Sequence, residues 1–406
     1  MGQKKKILSD SVWSVAGLVL MNVALQFAVY PFWERRAGEA ALGNILYLIS
    51  LMNVFAVSMG VSANYARLKR SEGGASKNSP YLLILLVATA VAAAVAVVIT
   101  FVGGVEFTLI EGILFCAVTC ATMWRYYADV EFKLSLNYRS YFVYYFCIAL
   151  GYAVGIGLFY ATGLWPITLL CGEILGLSFV LVRGRIFRFD GKAESDEMRD
   201  ALKIVFILLG SEMLSTLIFN ADRIVLKMVI DEVAVTEYYL ASLLGKTIAL
   251  LTTPLTGVII GYLSKYKGEL TAKLMNVVVL VAVGMVALAT AACTLGSYII
   301  MPFLYPNQFE TVRSYFFIAN LSQVMFFVGS VITVVLFRFA KSKYQMYITA
   351  LYAVCFVSVC IPFAIKWGLS GFCVGLALTC FARFAITVFL GYITVIRNKR
   401  KNKISA

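Results

Sequence analysis

The sequence predicts an all-α membrane protein that crosses the bilayer about twelve times. Of its 406 residues, 61% are hydrophobic and only 14% are charged. A soluble domain has roughly 25% charged residues, so this chain has too little charge to solvate its own surface. Apolar windows of about 20 residues, the length that spans a bilayer, recur along the chain. Lys and Arg are concentrated in alternate breaks between these windows.

The ends of the apolar windows define the individual spans. Lys4, Lys5 and Lys6 precede the first window and resemble the start of a signal peptide. The apolar stretch after them is too long for a removed signal and lacks a small-residue cleavage site, so we expect a retained first span. The predicted spans are 9–33, 39–66, 80–102, 105–127, 139–161, 164–182, 200–229, 233–263, 272–300, 307–337, 343–365 and 368–396.

The basic residues orient this map. With the N-terminus in the cytoplasm, 27 of the 35 Lys and Arg residues fall in cytoplasmic segments, 5 in outer segments and 3 inside spans. This bias is typical of multi-pass proteins of the cytoplasmic membrane and places both termini in the cytoplasm. The net charge of +14 is thus a topology signal, and we expect no nucleic-acid partner.

The longest cytoplasmic loop, about 183–199, divides the spans into two sets of six. We therefore predict an N-terminal lobe over 1–190 and a C-terminal lobe over 191–406. The chain has no histidine and no Gly-rich phosphate loop, which excludes His-based catalysis and ATP hydrolysis by this chain. Its nine cysteines lie in apolar stretches, where we interpret them as packed hydrophobes. We expect no enzyme activity, no metal and no cofactor.

Span seven carries a polar face. A charged group at the centre of a membrane helix costs about 2.5–3.5 kcal/mol, so such groups normally face a protein interior or a cavity. Asp222 lies about 100° round the helix from Arg223. We predict that the face lines a cavity; the alternative is that Glu212 or Asp222 pairs with a cation of a neighbouring helix. Its members recur every three or four residues: Glu212, Thr216, Asn220, Arg223 and Lys227.

Span eight adds Tyr239 and Lys246 on a second polar face. Two cations on consecutive helices, Arg223 and Lys246, indicate an anionic ligand, because guanidinium and ammonium groups both bind phosphate. The alternative is that they neutralise Asp222 and Glu212.

Uncharged amides mark the first half. Asn22 and Gln26 lie in span one and Asn53 lies in span two, where amides either bind sugar hydroxyls or join helices. Arg383 in span twelve either faces the cavity or pairs with Glu173.

Four carboxylates are candidates for proton or sodium coupling, since desolvation lets a carboxylate titrate. They are Glu173, Glu212, Asp222 and Glu237.

One stretch carries a family resemblance. The run 220–226 (NADRIVL), followed by Ala234-Val235, Tyr238 and 243–246 (LLGK), resembles the start of the second half of Wzx-type polysaccharide flippases. These flippases belong to the multidrug/oligosaccharidyl-lipid/polysaccharide (MOP) superfamily. The run Ala37–Gly43 resembles the opening of their first half. Lys227 and Thr236 stand where the family often has glycine.

The resemblance implies a V-shaped pair of six-helix lobes around a central cavity, working by alternating access. It implies a flippase that moves undecaprenyl-pyrophosphate-linked oligosaccharide from the inner to the outer leaflet for surface polysaccharide biosynthesis. Arg223 and Lys246 would hold the pyrophosphate, and the amides and tyrosines would hold sugar. We expect a monomer whose partners are this lipid-linked substrate and membrane lipid.

Two other functions stay open. A MATE-type multidrug or cation antiporter of the same superfamily is expected to have a cavity dominated by acidic and aromatic groups. An integral-membrane polysaccharide polymerase or glycosyltransferase is expected to have a sizeable outer loop with catalytic groups, whereas all outer loops predicted here are short.

Overall fold

The computed structural model is helical throughout the residues it describes, which are 2–71, 77–191, 194–247, 268, 270–340 and 343–405. Side chains are described within these ranges except for 2–11, 337–338, 343 and 399–405. No strand occurs in these ranges, so the predicted all-α class is confirmed. By its internal contacts the chain forms two compact units, 1–224 and 225–406. The boundary between them lies inside a helix, and the division predicted at 190/191 stays a prediction.

The first unit begins with a long helix that is interrupted by a π-helical turn, Leu25–Val29. Capping defines several helix starts. Thr108 and Glu111 form a reciprocal capping box, and prolines occupy the first turns of the helices Ser79–Val102 and Pro166–Arg183. The helices are α1 Gly2–Ala24, α2 Tyr30–Ala37, α3 Glu39–Ser71, α4 Ser79–Val102, α5 Leu109–Ala128, α6 Val130–Leu134, α7 Tyr138–Thr162, α8 Pro166–Arg183 and α9 Ser195–Val229.

The second unit contains the end of α9 and the remaining helices. Its core packs side chains of α11, α13 and α15 together, including Met275, Val328 and Val395. Non-helical backbone at Trp367 and Gly368 interrupts the last helix. The helices are α10 over 232–247, α11 Ala272–Leu304, α12 Phe309–Val312, α13 Phe316–Phe339, α14 Lys343–Cys355 and α15 Ile361–Ser405.

Ten helices of the described part are long and apolar enough to cross a membrane. The last of them, Tyr344–Asn398, covers predicted spans eleven and twelve, and its interruption at Trp367 and Gly368 lies at the start of span twelve. Predicted span eight, 233–263, is described only as far as residue 247. The predicted membrane class is therefore confirmed, whereas the orientation of the termini stays a prediction.

Two glycines bring α7 and α8 into backbone contact. A Cβ atom built on Gly151 would lie 2.5 Å from the Cα of Gly172, and one built on Gly155 would lie 2.5 Å from the Cα of Thr168. Both distances are far below van der Waals contact, so no larger residue fits without moving a helix. This close approach fixes the position of Glu173, the residue that follows Gly172 on α8.

A loop carboxylate fixes the start of α4. Asp190 accepts hydrogen bonds from the backbone N–H groups of Asn78, at 2.7 Å, and Ser79, at 3.1 Å, and from the Ser79 hydroxyl. Burial raises the pKa of Asp190, but these hydrogen bonds outweigh it and leave the pKa below its ordinary value. The segment before α9 is thereby tied to the N-terminus of α4.

Candidate functional site

The first unit contains an open cavity of about 490 Å³ with many polar lining side chains. Its wall comes from α1, the π-helical turn, α2, α3, α5, α7, α8 and α9, so most helices of the unit contribute. The π-helical turn places Leu25 and Gln26 in this wall, and Tyr30 follows directly after the turn. The polar lining side chains are Asn22, Gln26, Tyr30, Asn53, Thr122, Arg125, Tyr126, Tyr152, Glu173, Ser215, Thr216, Asn220 and Arg223.

The cavity contains a buried ion pair between α5 and α8. Arg125 is 6% exposed and Glu173 is 3% exposed. The Nε atom of Arg125 lies 2.7 Å from one carboxylate oxygen of Glu173 and 2.9 Å from the other. The Thr122 hydroxyl donates a second hydrogen bond to this carboxylate, at 3.1 Å, beside the one from Arg125. Buried charges need such partners, because an unpaired ion in a protein interior is very costly.

Sequence reasoning missed the role of Arg125. It counted Arg125 with the cytoplasmic loop, since residue 125 falls at the very end of predicted span 105–127. The structure places it in α5 with its guanidinium 4.1 Å from the ring centroid of Tyr126, a cation–π contact. The signal that was available is the helical spacing of Thr122 and Arg125, which puts both on the face that meets Glu173.

The middle of the polar face predicted on span seven lies in the wall of this cavity. Thr216, Asn220 and Arg223 all line the cavity. The Ser58 hydroxyl of α3 donates to the Thr216 hydroxyl at 3.0 Å and joins α3 to α9. Asn220 donates through Nδ2 to the backbone carbonyl of Thr216 at 2.8 Å.

The ends of that predicted face lie outside the cavity wall. Glu212 is half-buried and is not among the lining residues. Lys227 pairs with Glu232 at the turn between α9 and α10. Asp222 is buried and accepts a hydrogen bond from the backbone N–H of Arg223 at 2.9 Å, but it does not line the cavity either. Only the middle of the face therefore contributes to the wall.

The first-half amides come together as a group. Asn22, Gln26 and Asn53 line the same cavity as Asn220. The Nδ2 atom of Asn22 donates to the backbone carbonyl of Leu18 at 2.8 Å, which orients this side chain on α1. The lining therefore offers four amides beside two guanidinium groups and one carboxylate.

The remaining predicted site residues belong to the second unit. Tyr239 and Lys246 are buried on α10, at 1% and 9% exposure, and Glu237 is half-buried there. Arg383 donates to the Phe326 carbonyl at 2.7 Å and to the Ser330 hydroxyl at 3.0 Å. Its guanidinium also lies over the Phe326 ring, 4.1 Å from the centroid. Arg383 on α15 thus joins this helix to α13 by hydrogen bonds. The cation that pairs with Glu173 is Arg125 and not Arg383.

The charge of the lining follows from its members. The wall contains two guanidinium groups and one carboxylate, so its described lining side chains carry more positive than negative charge. In a low-dielectric surrounding this excess attracts anions more strongly than it would in water. No group of three or more His, Cys, Asp or Glu side chains in the described ranges is placed to hold a metal ion.

Comparison with known proteins identifies the fold. No protein-family model matches the chain, and no curated protein matches its sequence. Among solved structures, the inward-facing conformation of a multidrug resistance MATE family transporter of the MOP superfamily aligns with a TM-score of 0.71 and 12% identity, over 95% of this chain and 99% of that one. An outward-facing conformation of such a transporter aligns with a TM-score of 0.65 and 14% identity, over 98% and 97%.

A third solved structure is a MOP superfamily transporter from Pyrococcus furiosus, described as having a binding pocket of reverse polarity that suggests a different function. It aligns with a TM-score of 0.63 and 13% identity, over 98% of this chain and 96% of that one. These likenesses show that the chain has the fold of MATE transporters of the MOP superfamily. They do not extend to the narrower Wzx type.

Proposed function

We propose that this chain is a membrane transporter of the MATE type and that the cavity of its first unit binds an anionic substrate. The observation that carries the proposal is a polar cavity with three charged side chains inside a unit built from membrane-spanning helices. Charged groups inside a bilayer are costly and usually mark a substrate or ion pathway. The transporters of the same fold support this assignment over an enzyme.

The sign of the substrate follows from the charged lining residues. The wall contains the guanidinium groups of Arg125 and Arg223 and one carboxylate, that of Glu173. Guanidinium groups bind carboxylate and phosphate oxygens through paired N–H donors, which favours an oxyanion. A cation antiporter would instead need an acidic wall.

A second, narrower candidate is the flippase of undecaprenyl-pyrophosphate-linked oligosaccharide. The four amides beside the arginines favour it, because amides bind hydroxyl-rich sugars while guanidinium groups bind pyrophosphate. In this version the substrate moves from the inner to the outer leaflet of the cytoplasmic membrane, and the chain acts as a monomer with both termini in the cytoplasm. The substrate contacts predicted for Lys246 and Tyr239, which belong to the second unit, stay predictions.

Ion coupling is proposed through the cavity carboxylate. Of the four predicted carboxylates, Glu173 is the one found among the described lining residues. Coupling to protons or sodium through this cavity would therefore depend on Glu173, whereas Glu212, Asp222 and Glu237 would act elsewhere.

A substrate panel tests both candidates. The full chain is reconstituted into proteoliposomes, and transport is measured for a fluorescent prenyl-pyrophosphate-linked oligosaccharide, a soluble organic anion and an organic cation. We expect movement of an anionic substrate and no movement of the cation. Transport of the lipid-linked sugar alone supports the flippase, and transport of the soluble anion supports an anion exporter. Transport of the cation alone, or of none of the three, contradicts the proposal.

A further inference from the structure

Arg125 is held by its ion pair in an unusual way. Both oxygens of Glu173 approach the single Nε–H group, at 2.7 and 2.9 Å. The usual guanidinium–carboxylate pair instead uses two parallel N–H···O bonds. The pair therefore occupies one of the five N–H donors of Arg125 and leaves the two terminal nitrogens for other partners.

Those terminal nitrogens form no hydrogen bond to an oxygen in the described part of the chain. Nη1 approaches the Met21 sulfur at 3.9 Å, and a thioether is a weak acceptor. The Tyr126 ring lies against the face of the guanidinium and fixes its plane. Arg125 is nevertheless 94% buried and lines the cavity. A buried cation with its terminal edge lacking oxygen partners is a built binding site.

We infer that the terminal edge of Arg125 is an oxyanion subsite and that Glu173 is its internal counter-ion, which orients the guanidinium and lowers the affinity for the incoming anion. The inference rests on the proposed function in taking the substrate to be anionic. It adds the residue that binds the oxyanion and the residue that limits how tightly it is bound.

The other charged and titratable groups around the pair are consistent with this assignment. The other charged and phenolic side chains that line the described wall are Tyr30, Tyr126, Tyr152 and Arg223. Asp129 is the next carboxylate along the chain after Arg125. It accepts hydrogen bonds from the hydroxyls of Tyr141 and Tyr145, at 3.2 and 3.0 Å. The carboxylate that opposes an anion in this cavity is therefore Glu173.

Removing the charge of Glu173 and removing the charge of Arg125 should change the affinity for the anion in opposite directions. Glu173→Gln keeps a hydrogen-bonding side chain in place but removes the negative charge that repels the anion, so the anion should bind more tightly. Two unit charges a few ångströms apart interact by several RT even at an effective dielectric of 20, so we expect a change of at least about tenfold. Arg125→Gln removes the subsite and should weaken binding by at least about tenfold.

Binding of inorganic pyrophosphate to the full chain in nanodiscs, measured by calorimetry, tests the inference. We expect wild-type binding, tighter binding by Glu173→Gln and weaker binding by Arg125→Gln. Arg125→Lys should also bind weakly, because an ammonium cannot form the paired contact. Arg139→Gln is the matched control, since it removes an exposed cation of the first unit outside the cavity.

The double variant Arg125→Gln/Glu173→Gln guards against misfolding, because it removes both buried charges together. It should fold and bind as weakly as Arg125→Gln. Unchanged or weaker binding by Glu173→Gln, or wild-type affinity in Arg125→Gln, overturns the inference, as does a wild-type chain that does not bind pyrophosphate. Arg125-dependent binding without transport of any substrate would contradict the proposed function and leave this inference standing.

Discussion

At the scale of single residues, the cavity depends on an ion pair that joins two helices far apart in sequence. Arg125 and Glu173 are 48 residues apart. Their electrostatic attraction offsets the desolvation cost of burying each charge. The net free energy of the pair is the difference between these two quantities. Thr122 and Tyr126, on the same helix as Arg125, contribute a hydrogen bond to the carboxylate and an aromatic face to the cation.

Breaking the pair from one side should destabilise the protein strongly. Glu173→Ala leaves a buried guanidinium without its counter-ion, and we expect the free energy of unfolding to fall by about 3–5 kcal/mol. The double substitution Arg125→Met/Glu173→Leu removes both charges and should be close to neutral. Thermal unfolding of the purified variants measures both effects. Equal losses of stability in the single and double variants would contradict the ion-pair account.

Sequence reasoning reached some of these residues and missed others for physical reasons. Helical periodicity is local, so the sequence alone places Asn220 and Arg223 on one face, and both line the cavity. Arg125 was missed because a cation at the end of an apolar window looks like a loop residue. Its assignment depends on Glu173, and a pairing between distant helices leaves no periodic pattern in the sequence.

At the scale of helices, close packing of α7 on α8 positions Glu173. Gly151 and Gly155 face the backbone of α8, whereas a Cβ atom on Gly157 of the same helix would meet nothing within 4 Å. The same helix therefore supplies both a test position and its control.

The substitution Gly151→Ala should lower stability by about 1–3 kcal/mol, because the new methyl group collides with the backbone at Cys171 and Gly172. It should also impair transport by displacing Glu173. Gly157→Ala should be neutral or stabilise the helix by up to about 1 kcal/mol. Thermal unfolding and transport in proteoliposomes measure the two effects. A Gly151→Ala variant indistinguishable from Gly157→Ala would show that α8 is free to shift.

The Asp190 contact makes the stability of the start of α4 depend on pH. Because its pKa is lowered in the folded state, its contribution is present above the ordinary pKa of an aspartate and is lost as the pH falls through the lowered value. Asp190→Ala should cost about 1 kcal/mol at neutral pH, as for the loss of a helix cap.

Hydrogen exchange at the amides of Asn78 and Ser79 reports this contact directly. We expect faster exchange in Asp190→Ala at neutral pH and a difference from wild type that shrinks in acid. Glu106→Ala removes a carboxylate from the loop between α4 and α5 and is the control. Exchange rates in Asp190→Ala equal to those of wild type at neutral pH would contradict the capping role.

At the scale of the whole molecule, hydropathy predicted the membrane class, since lipid exposure imposes long apolar helices. The fold matches MATE transporters although identity is only 12–14% in the alignments described above. Because the architecture is similar while the sequences differ, the fold does not identify the substrate. Substrate choice depends on the side chains of the site. Under the proposed function, the lining side chains of the first unit favour an anionic substrate over a cation.

The central claim is that the cavity of the first unit binds the anionic substrate during transport. The most direct measurement is the initial rate of anion transport in proteoliposomes for Arg223→Gln beside Arg139→Gln. Arg223 lines the cavity and Arg139 is an exposed cation outside it, so each variant loses one positive charge. The account predicts a rate at least about tenfold lower for Arg223→Gln, in line with the loss of a charged hydrogen bond, and a near wild-type rate for Arg139→Gln. Equal rates in the two variants would contradict it.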